Sequence, residues 1–240
     1  MTGALINAFG IVAGGVWGLA VGKPIPSPGP SALKIILGVF TVWFGLKLTW
    51  VSLNGSFRQL FGELGLVLLA MALGKIAGKC LRLQHLSNSI GRRATQTLAA
   101  PAAKGRFNDG FLLATSLFCA GPLAILASAQ EGLDGFSPVF VVKAAIDGLA
   151  AFAFCQTFGW GVILSAMPVL ALESALIRGA QCLEPVLRQR PSPMLDVINA
   201  TNGLLIFCVA MIILGLKKIE VADYLPSLVF APLLTWWLWR

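Results

Sequence analysis

The chain has 240 residues, of which 57% are hydrophobic and only 12% are charged, and its mean hydropathy is +0.84. Soluble domains carry about a quarter charged residues, so the composition excludes a soluble fold. It predicts an all-α polytopic membrane protein with residues 1–240 forming a single integral membrane domain in a lipid bilayer. The formal net charge is +8, but the basic residues fall between apolar runs, which is typical of cytoplasmic loops and not of nucleic-acid binding.

Seven apolar runs are long enough to cross a bilayer, which takes about 20 residues of helix, and an eighth is shorter. In chain order they are 3–22, 31–53, 60–78, 110–130, 138–158, 162–180, 195–216 and the short 225–239. The short run contains two prolines and ends among tryptophans, so it spans, re-enters or lies at the interface. We therefore expect seven or eight transmembrane helices.

The longest polar stretch is 79–109, and its basic side chains predict a cytoplasmic linker. They are Lys79, Arg82, His85, Arg92, Arg93, Lys104 and Arg106. The middle of the stretch is either an amphipathic helix on the membrane surface or a plain linker. With this linker inside, the N-terminus and an acidic turn at 131–134 are predicted to lie outside.

Residues 1–78 and 110–182 are candidate halves of an internal repeat. Gly38 and Gly148 are separated by the same number of positions as Glu63 and Glu173. A repeated unit of three spans returns in the opposite orientation because three is odd. The pattern therefore predicts a 3+3 inverted repeat, an architecture common in secondary transporters, with extra C-terminal helices in 195–240. Chance identity is the alternative.

Glycines recur at every fourth residue of the first apolar run. They are Gly10, Gly14, Gly18 and Gly22. On a helix they form a ridge without side chains, against which another backbone can pack closely. The partner is either another helix of this chain or a second subunit, so a homodimer is one of the two expectations.

Cys119, Gly121 and Pro122 interrupt the fourth run. Proline removes a backbone donor and so frees carbonyl groups near Leu117 and Phe118. In a membrane such groups must find partners or line a cavity. The motif predicts either a discontinuous helix that forms part of a binding site or an ordinary proline kink.

Lys143 and Asp147 are four residues apart in the fifth run, hence on one helix face. Ionisable side chains at that depth usually face the interior of the bundle and have partners. They form either a structural ion pair or a site in which Asp147 holds a proton or cation and Lys143 takes its place when the site is empty. Glu173 in the sixth run is a further candidate site residue.

Three asparagines are candidates of a different kind. Asn7, Asn199 and Asn202 give the first and seventh runs polar faces, which either link helices by hydrogen bonds or line a polar site. His85 is the only histidine and the five cysteines are scattered, so we expect no metal site. No catalytic motif is present, and we expect neither an enzyme nor a cofactor.

Four segments carry a family resemblance: GALINAFGIVAGGVWGLAVGKPIP, LFCAGPLAILASAQEGLDG, VKAAIDGLAAFAFCQTFGWGV and LPSLVFAPLL. In this order they resemble the YdfK/YqgA-like bacterial membrane proteins (domain of unknown function 554), over nearly the whole chain. Ala127 stands where family members tend to have glycine. The resemblance implies a polytopic protein of the bacterial inner membrane, commonly described as a candidate transport protein, and it brings no established substrate or functional residues.

These features together predict a transporter of a small solute or ion, with its site between the fourth and fifth runs. Lys143 and the helix N-terminus at Pro122 favour an anionic solute, whereas Asp147 favours a cation or proton as the coupling ion. The alternatives are an ion channel, and a non-transporting scaffold or sensor that acts through the basic linker.

Overall fold

A computed structural model describes residues 1–21, 28–53, 56–99, 106–188 and 193–238. Within these ranges the chain is helical and contains no strand, which confirms the all-α polytopic fold. The elements are α1 Thr2–Val21, α2 Pro28–Ser52, α3 Phe57–Cys80, α4 Leu83–Ala99, α5 Arg106–Ala120, α6 Pro122–Asp134, α7 Val139–Phe158, a 3₁₀ segment Gly159–Ser165, α8 Ala166–Arg188, α9 Met194–Ile213, α10 Val221–Tyr224 and α11 Ser227–Leu238.

By length and composition, the described part of the chain has six helices able to cross a membrane, or seven if the bent pair α5 and α6 is one span. One of the six is the 49-residue stretch Val139–Leu187, which contains both α7 and α8. A straight helix of that length would measure about 74 Å, more than twice the roughly 30 Å core of a bilayer. Because Lys143 Nζ lies 3.2 Å from Glu173 Oε1, the chain instead reverses its direction between α7 and α8.

The predicted fourth span is two helices, α5 and α6, bent by 56° at the Cys119–Pro122 motif. Helix α6 continues to Asp134, so the expected acidic turn at 131–134 is wrong. Glu131 is only 2% exposed because its carboxylate accepts hydrogen bonds from the Gly3 N–H in the first turn of α1.

The basic stretch 79–109 is largely helical. Helix α3 extends to Cys80 and α4 follows after Arg82, whose positive φ of 55° separates the two helices. The first turn of α4 is fixed by the Asp223 carboxylate, which accepts the Gln84 N–H at 2.8 Å. A helix therefore replaces the plain linker, and its position against a membrane surface stays a prediction.

The last apolar run forms α10 and α11. Together they make the candidate span Val221–Leu238, although Pro232 lies inside α11.

The helices group into two compact units. The first comprises Met1–Ser31 and Leu86–Arg178, and the second comprises Ala32–His85 and Gly179–Arg240. Each unit thus combines two separate parts of the chain. The predicted halves 1–78 and 110–182 follow a different division, and their repeat relationship stays a prediction.

In the first unit, the glycine ridge of α1 lies against α7. A Cβ added at Gly10 would lie 2.7 Å from the carbonyl oxygen of Ala144, and one added at Gly148 would lie 2.7 Å from that of Gly10. Gly14 and Gly18 continue the same contact. The ridge therefore packs against a helix of its own chain. Gly22 lies outside the described residues.

In the second unit, α2 and α9 pack by a similar device. A Cβ at Gly45 would lie 2.7 Å from the carbonyl oxygen of Gly203, and a Cβ at Gly203 would lie 2.7 Å from the carbonyl oxygen of Gly45. The face of α9 that is buried in this unit includes Asn199 and Asn202. Helix α3 packs against α9, α10 and α11 and buries Glu63.

Candidate functional site

The proline break leaves the main-chain carbonyl of Phe118, in the first unit, without its helical hydrogen-bond donor. In an unbroken helix the Phe118 carbonyl would accept from the N–H of residue 122, and proline has none. Pro122 instead starts α6, with Gly121 as its N-cap. A Cβ at Gly121 would meet only the Leu117 carbonyl oxygen, at 3.9 Å, so the break depends on the proline more than on the glycine.

The Lys143 side chain reaches this carbonyl from α7. Its Nζ donates to the Phe118 oxygen at 3.1 Å, forms a salt bridge with Asp147 Oδ2, and lies 3.2 Å from Glu173 Oε1. An ammonium group has three N–H donors, and here it has three oxygen partners. Lys143 is only 3% exposed, so the partners compensate for most of the cost of burying its charge.

Asn7 of α1 joins the two carboxylates. Its Nδ2 donates to Asp147 Oδ2 at 3.2 Å and to Glu173 Oε1 at 2.9 Å. Asn7 lies on the same face of α1 as Gly10 and Gly14, so the close approach of α1 to α7 brings the amide within hydrogen-bond distance. We call Asn7, Lys143, Asp147, Glu173 and the Phe118 carbonyl the buried cluster.

Two oxygen atoms of the buried cluster are left over. Asn7 Oδ1 and Glu173 Oε2 are buried and have no hydrogen-bond partner among the described residues. Both atoms are acceptors when Glu173 is ionised. With both carboxylates ionised, the cluster carries two negative charges and one positive charge, so its formal charge is −1. Such a site has a deficit of hydrogen-bond donors and of positive charge.

The sequence matches the family described as "Protein of unknown function (DUF554)" over residues 2–236. The chain belongs to the DUF554 family. It is 25% identical to "Uncharacterized membrane protein YdfK" of Bacillus subtilis (strain 168) over 232 residues, covering 97% of this chain and 94% of that protein. It is 27% identical to "Uncharacterized protein YqgA" of Escherichia coli (strain K12) over 240 residues, covering 98% and 97% of the two chains. No solved structure matches significantly.

The family match confirms the resemblance seen in the sequence, and this DUF554 chain is a membrane protein. The four segments quoted above for the resemblance contain most of the buried cluster: Asn7 in the first, Phe118 in the second, and Lys143 with Asp147 in the third.

The other predicted site residues occupy different places in the DUF554 structure. Cys119 is half-buried at the end of α5, within electrostatic range of Lys143, Asp147 and Glu173. Asn199 and Asn202 are buried on α9 in the second unit. Their part in a site stays a prediction.

One functional-looking residue was missed from the sequence. Glu131 accepts the Gly3 N–H with both carboxylate oxygens, at 3.1 and 3.0 Å, and so caps the start of α1. Negative charge at a helix N-terminus is stabilising. The spacing of Glu131 could have revealed this role. Leu123, Ala127 and Glu131 share one helix face if the helix continues past residue 130.

A metal centre built from His, Cys, Asp and Glu finds no support in the described ranges. No group of three or more such side chains lies close enough together to hold a metal ion. The buried cluster offers two carboxylates, one amide oxygen and a main-chain carbonyl, a set that suits a proton or a monovalent cation.

Proposed function

We propose that this DUF554 protein transports a small solute or ion, and that the buried cluster is its binding site. The observation that carries the proposal is the position of the Lys143 ammonium, which lies among oxygen atoms at a helix break. Discontinuous helices whose free carbonyls coordinate cations are common in secondary transporters. A purely structural Lys143–Asp147 pair would not require the Phe118 carbonyl, Glu173 or Asn7.

The contacts favour a cation over the anion expected from Lys143 and the helix N-terminus. All three donors of Lys143 have oxygen partners, so none remains for an anion. The two unpartnered atoms, Asn7 Oδ1 and Glu173 Oε2, are acceptors. An entering anion would also meet a formal charge of −1.

In this proposal Lys143 acts as a tethered substitute for the cargo. When a cation enters, the ammonium leaves the Phe118 carbonyl and Glu173 but stays paired with Asp147. The steps are binding and release, with no covalent chemistry and no cofactor. Because the cluster is closed off in the first unit, a gated pocket is better supported than an open channel.

The remaining expectations belong to the same proposal. The protein lies in the bacterial inner membrane with its N-terminus outside, as the distribution of Lys and Arg favours. An inverted repeat would supply two related bundles for alternating access. A homodimer would have to use a surface other than Gly10, Gly14 and Gly18, because these pack against α7.

The test is solute-dependent stabilisation of the purified protein. We expect a cation in a panel of inorganic cations, small amines and anions to raise its melting temperature, and Asp147→Asn to lose most of that shift. The matched control is Glu63→Gln, which changes a buried carboxylate in the second unit and should keep it. If nothing shifts the wild type, or if Asp147→Asn responds equally, the cluster is not the site. Unitary conductance in planar bilayers would instead indicate a channel.

A further inference from the structure

The charges of the buried cluster do not balance. Lys143 forms salt bridges with both Asp147 and Glu173, and these three are the charged groups of the cluster among the described residues. All three are buried, and Glu173 is 0% exposed. An uncompensated charge in such a place costs several kcal/mol, and a buried ionisable group usually becomes neutral instead. One further positive charge is therefore needed.

The hydrogen bonds indicate which atom takes it. Asp147 Oδ2 already accepts from both Lys143 and Asn7. Glu173 Oε1 accepts from Asn7 and faces Lys143. Glu173 Oε2 has no partner among the described residues and no access to solvent. A proton on Glu173 Oε2 would therefore replace no hydrogen bond of the described residues and would remove a buried negative charge.

Among the described residues, the charged and polar neighbours of Glu173 lie on three helices. Helix α7 presents Lys143 and Asp147, helix α1 presents the uncharged Asn7, and Cys119 of α5 lies within electrostatic range. Since Lys143 is already paired with Asp147, the second carboxylate lacks a full counter-charge.

We propose that Glu173 binds one proton at Oε2 and releases it when a monovalent cation enters the buried cluster, so that the protein exchanges protons for cations. On protonation an O–H bond forms, the carboxylate becomes a neutral acid, and the cluster goes from −1 to zero. On cation entry that O–H bond breaks, the proton leaves to water, and the cation keeps the cluster at zero. The two ligands exclude each other because the cluster balances only one extra positive charge. This inference rests on the proposed function.

Infrared difference spectroscopy of the protein in lipid nanodiscs tests the proton site directly. Lowering the pH from mildly alkaline to mildly acidic should produce the C=O stretch of a protonated carboxylic acid in the wild type. Glu173→Gln should abolish that band, and the control Glu63→Gln should keep it. Asp147→Asn should require a lower pH to produce the band, because Lys143 then balances the charge of Glu173 alone. Absence of the band in the wild type, or its persistence in Glu173→Gln, overturns the assignment of the proton to Glu173 and leaves the proposed function standing.

The exchange is tested on the same samples at fixed acidic pH. Sodium, potassium or choline chloride, each added separately, should reduce the band of the wild type for at least one cation. In proteoliposomes the same cation should drive proton movement that a trapped pH dye reports, and Glu173→Gln should abolish it. A Glu173 band that no cation changes, together with no cation-driven proton flux, overturns the exchange and counts against the proposed function as well.

Folding of the key variant is checked independently. Glu173→Gln resembles the protonated side chain, so it should be at least as stable as the wild type at alkaline pH. The wild type should lose melting temperature as the pH rises, because ionised Glu173 is a buried, uncompensated charge. The melting temperature of Glu173→Gln should fall less over the same pH range, and an equal fall in both proteins would contradict the proposal.

Discussion

The ammonium of Lys143 on α7 donates a hydrogen bond to the main-chain carbonyl of Phe118 on α5, 3.1 Å away and 25 residues earlier in the chain. That carbonyl lacks its helical partner because residue 122 is proline. The helix break and the intramembrane charges are therefore parts of one arrangement. A substitution at the helix break should therefore affect the charged groups, and a substitution of the charged groups should affect the helix break.

Pro122→Ala tests this connection. The alanine supplies an N–H for the Phe118 carbonyl, so we expect α5 and α6 to straighten and Lys143 to lose one acceptor. Pro122 is the first residue of α6, where proline costs a helix little, so stability should change little while solute binding is lost. Spin-label distances across the 56° bend measure the straightening. Pro232→Ala in α11 of the second unit is the control and should keep binding. An unchanged bend in Pro122→Ala would contradict the account.

Lys143→Met should destabilise the protein by about 3–5 kcal/mol, because it leaves two buried carboxylates without a counter-charge. The double variant Lys143→Met with Asp147→Asn has the wild-type formal charge of −1 in the cluster and should recover most of this loss. Thermal unfolding in detergent, read by intrinsic fluorescence, measures both. Equal melting temperatures for the single and double variants would show that the charge balance does not matter to folding.

Gly10→Ala should cost about 1–3 kcal/mol of stability, since the added methyl group forces α1 away from α7. Its Cβ would lie 2.7 Å from the Ala144 carbonyl oxygen. Gly65→Ala is the matched control, because a Cβ there meets nothing within 4 Å. That change should be neutral or stabilise α3 by up to about 1 kcal/mol from helix propensity. The account fails if the two variants melt alike.

Glu131→Gln should lower stability by about 1–2 kcal/mol. The change removes the charge that faces the first turn of α1 and places an amide donor near the Gly3 N–H. Asp134→Asn, on the exposed side at the end of the same helix, should have a smaller effect. Amide hydrogen exchange in the first turn of α1 should rise in Glu131→Gln alone. Unchanged protection there would rule out the capping role.

Much of this fold follows from local sequence. The apolar runs predict the spans, and the Cys119–Pro122 motif predicts the broken helix and the free carbonyl at Phe118. The i, i+4 spacing predicts that Lys143 meets Asp147. The participation of Asn7 and Glu173 could only be suspected, because it depends on how α1 and α8 pack against α7. Helical periodicity fixes the face of one helix, but it does not name the helix opposite.

The error at residues 131–134 has a related cause. Acidic residues beside glycine are typical of an exposed turn. The partners that make burial of Glu131 favourable are the Gly3 N–H, 128 positions away, and the Met1 ammonium. Glu63 and Glu173 have the same separation along the chain as Gly38 and Gly148. Both glutamates are buried, Glu63 in the second unit and Glu173 in the first. An internal repeat would explain this correspondence, and the repeat stays a prediction.

The glycine contact between α1 and α7 limits how the buried cluster can open. The backbones of α1 and α7 touch at Gly10 and Gly148 with no side chains between them. We therefore expect the two helices to move together as one rigid body. Asn7 lies on α1 and Asp147 lies on α7, so the distance between them should stay the same. Opening of the cluster should therefore involve movement of the bent α5–α6 pair, which carries Phe118, or of α8, which carries Glu173. A hinge at the proline break would release Lys143 from one side of the cluster while the amide and the aspartate stay in register.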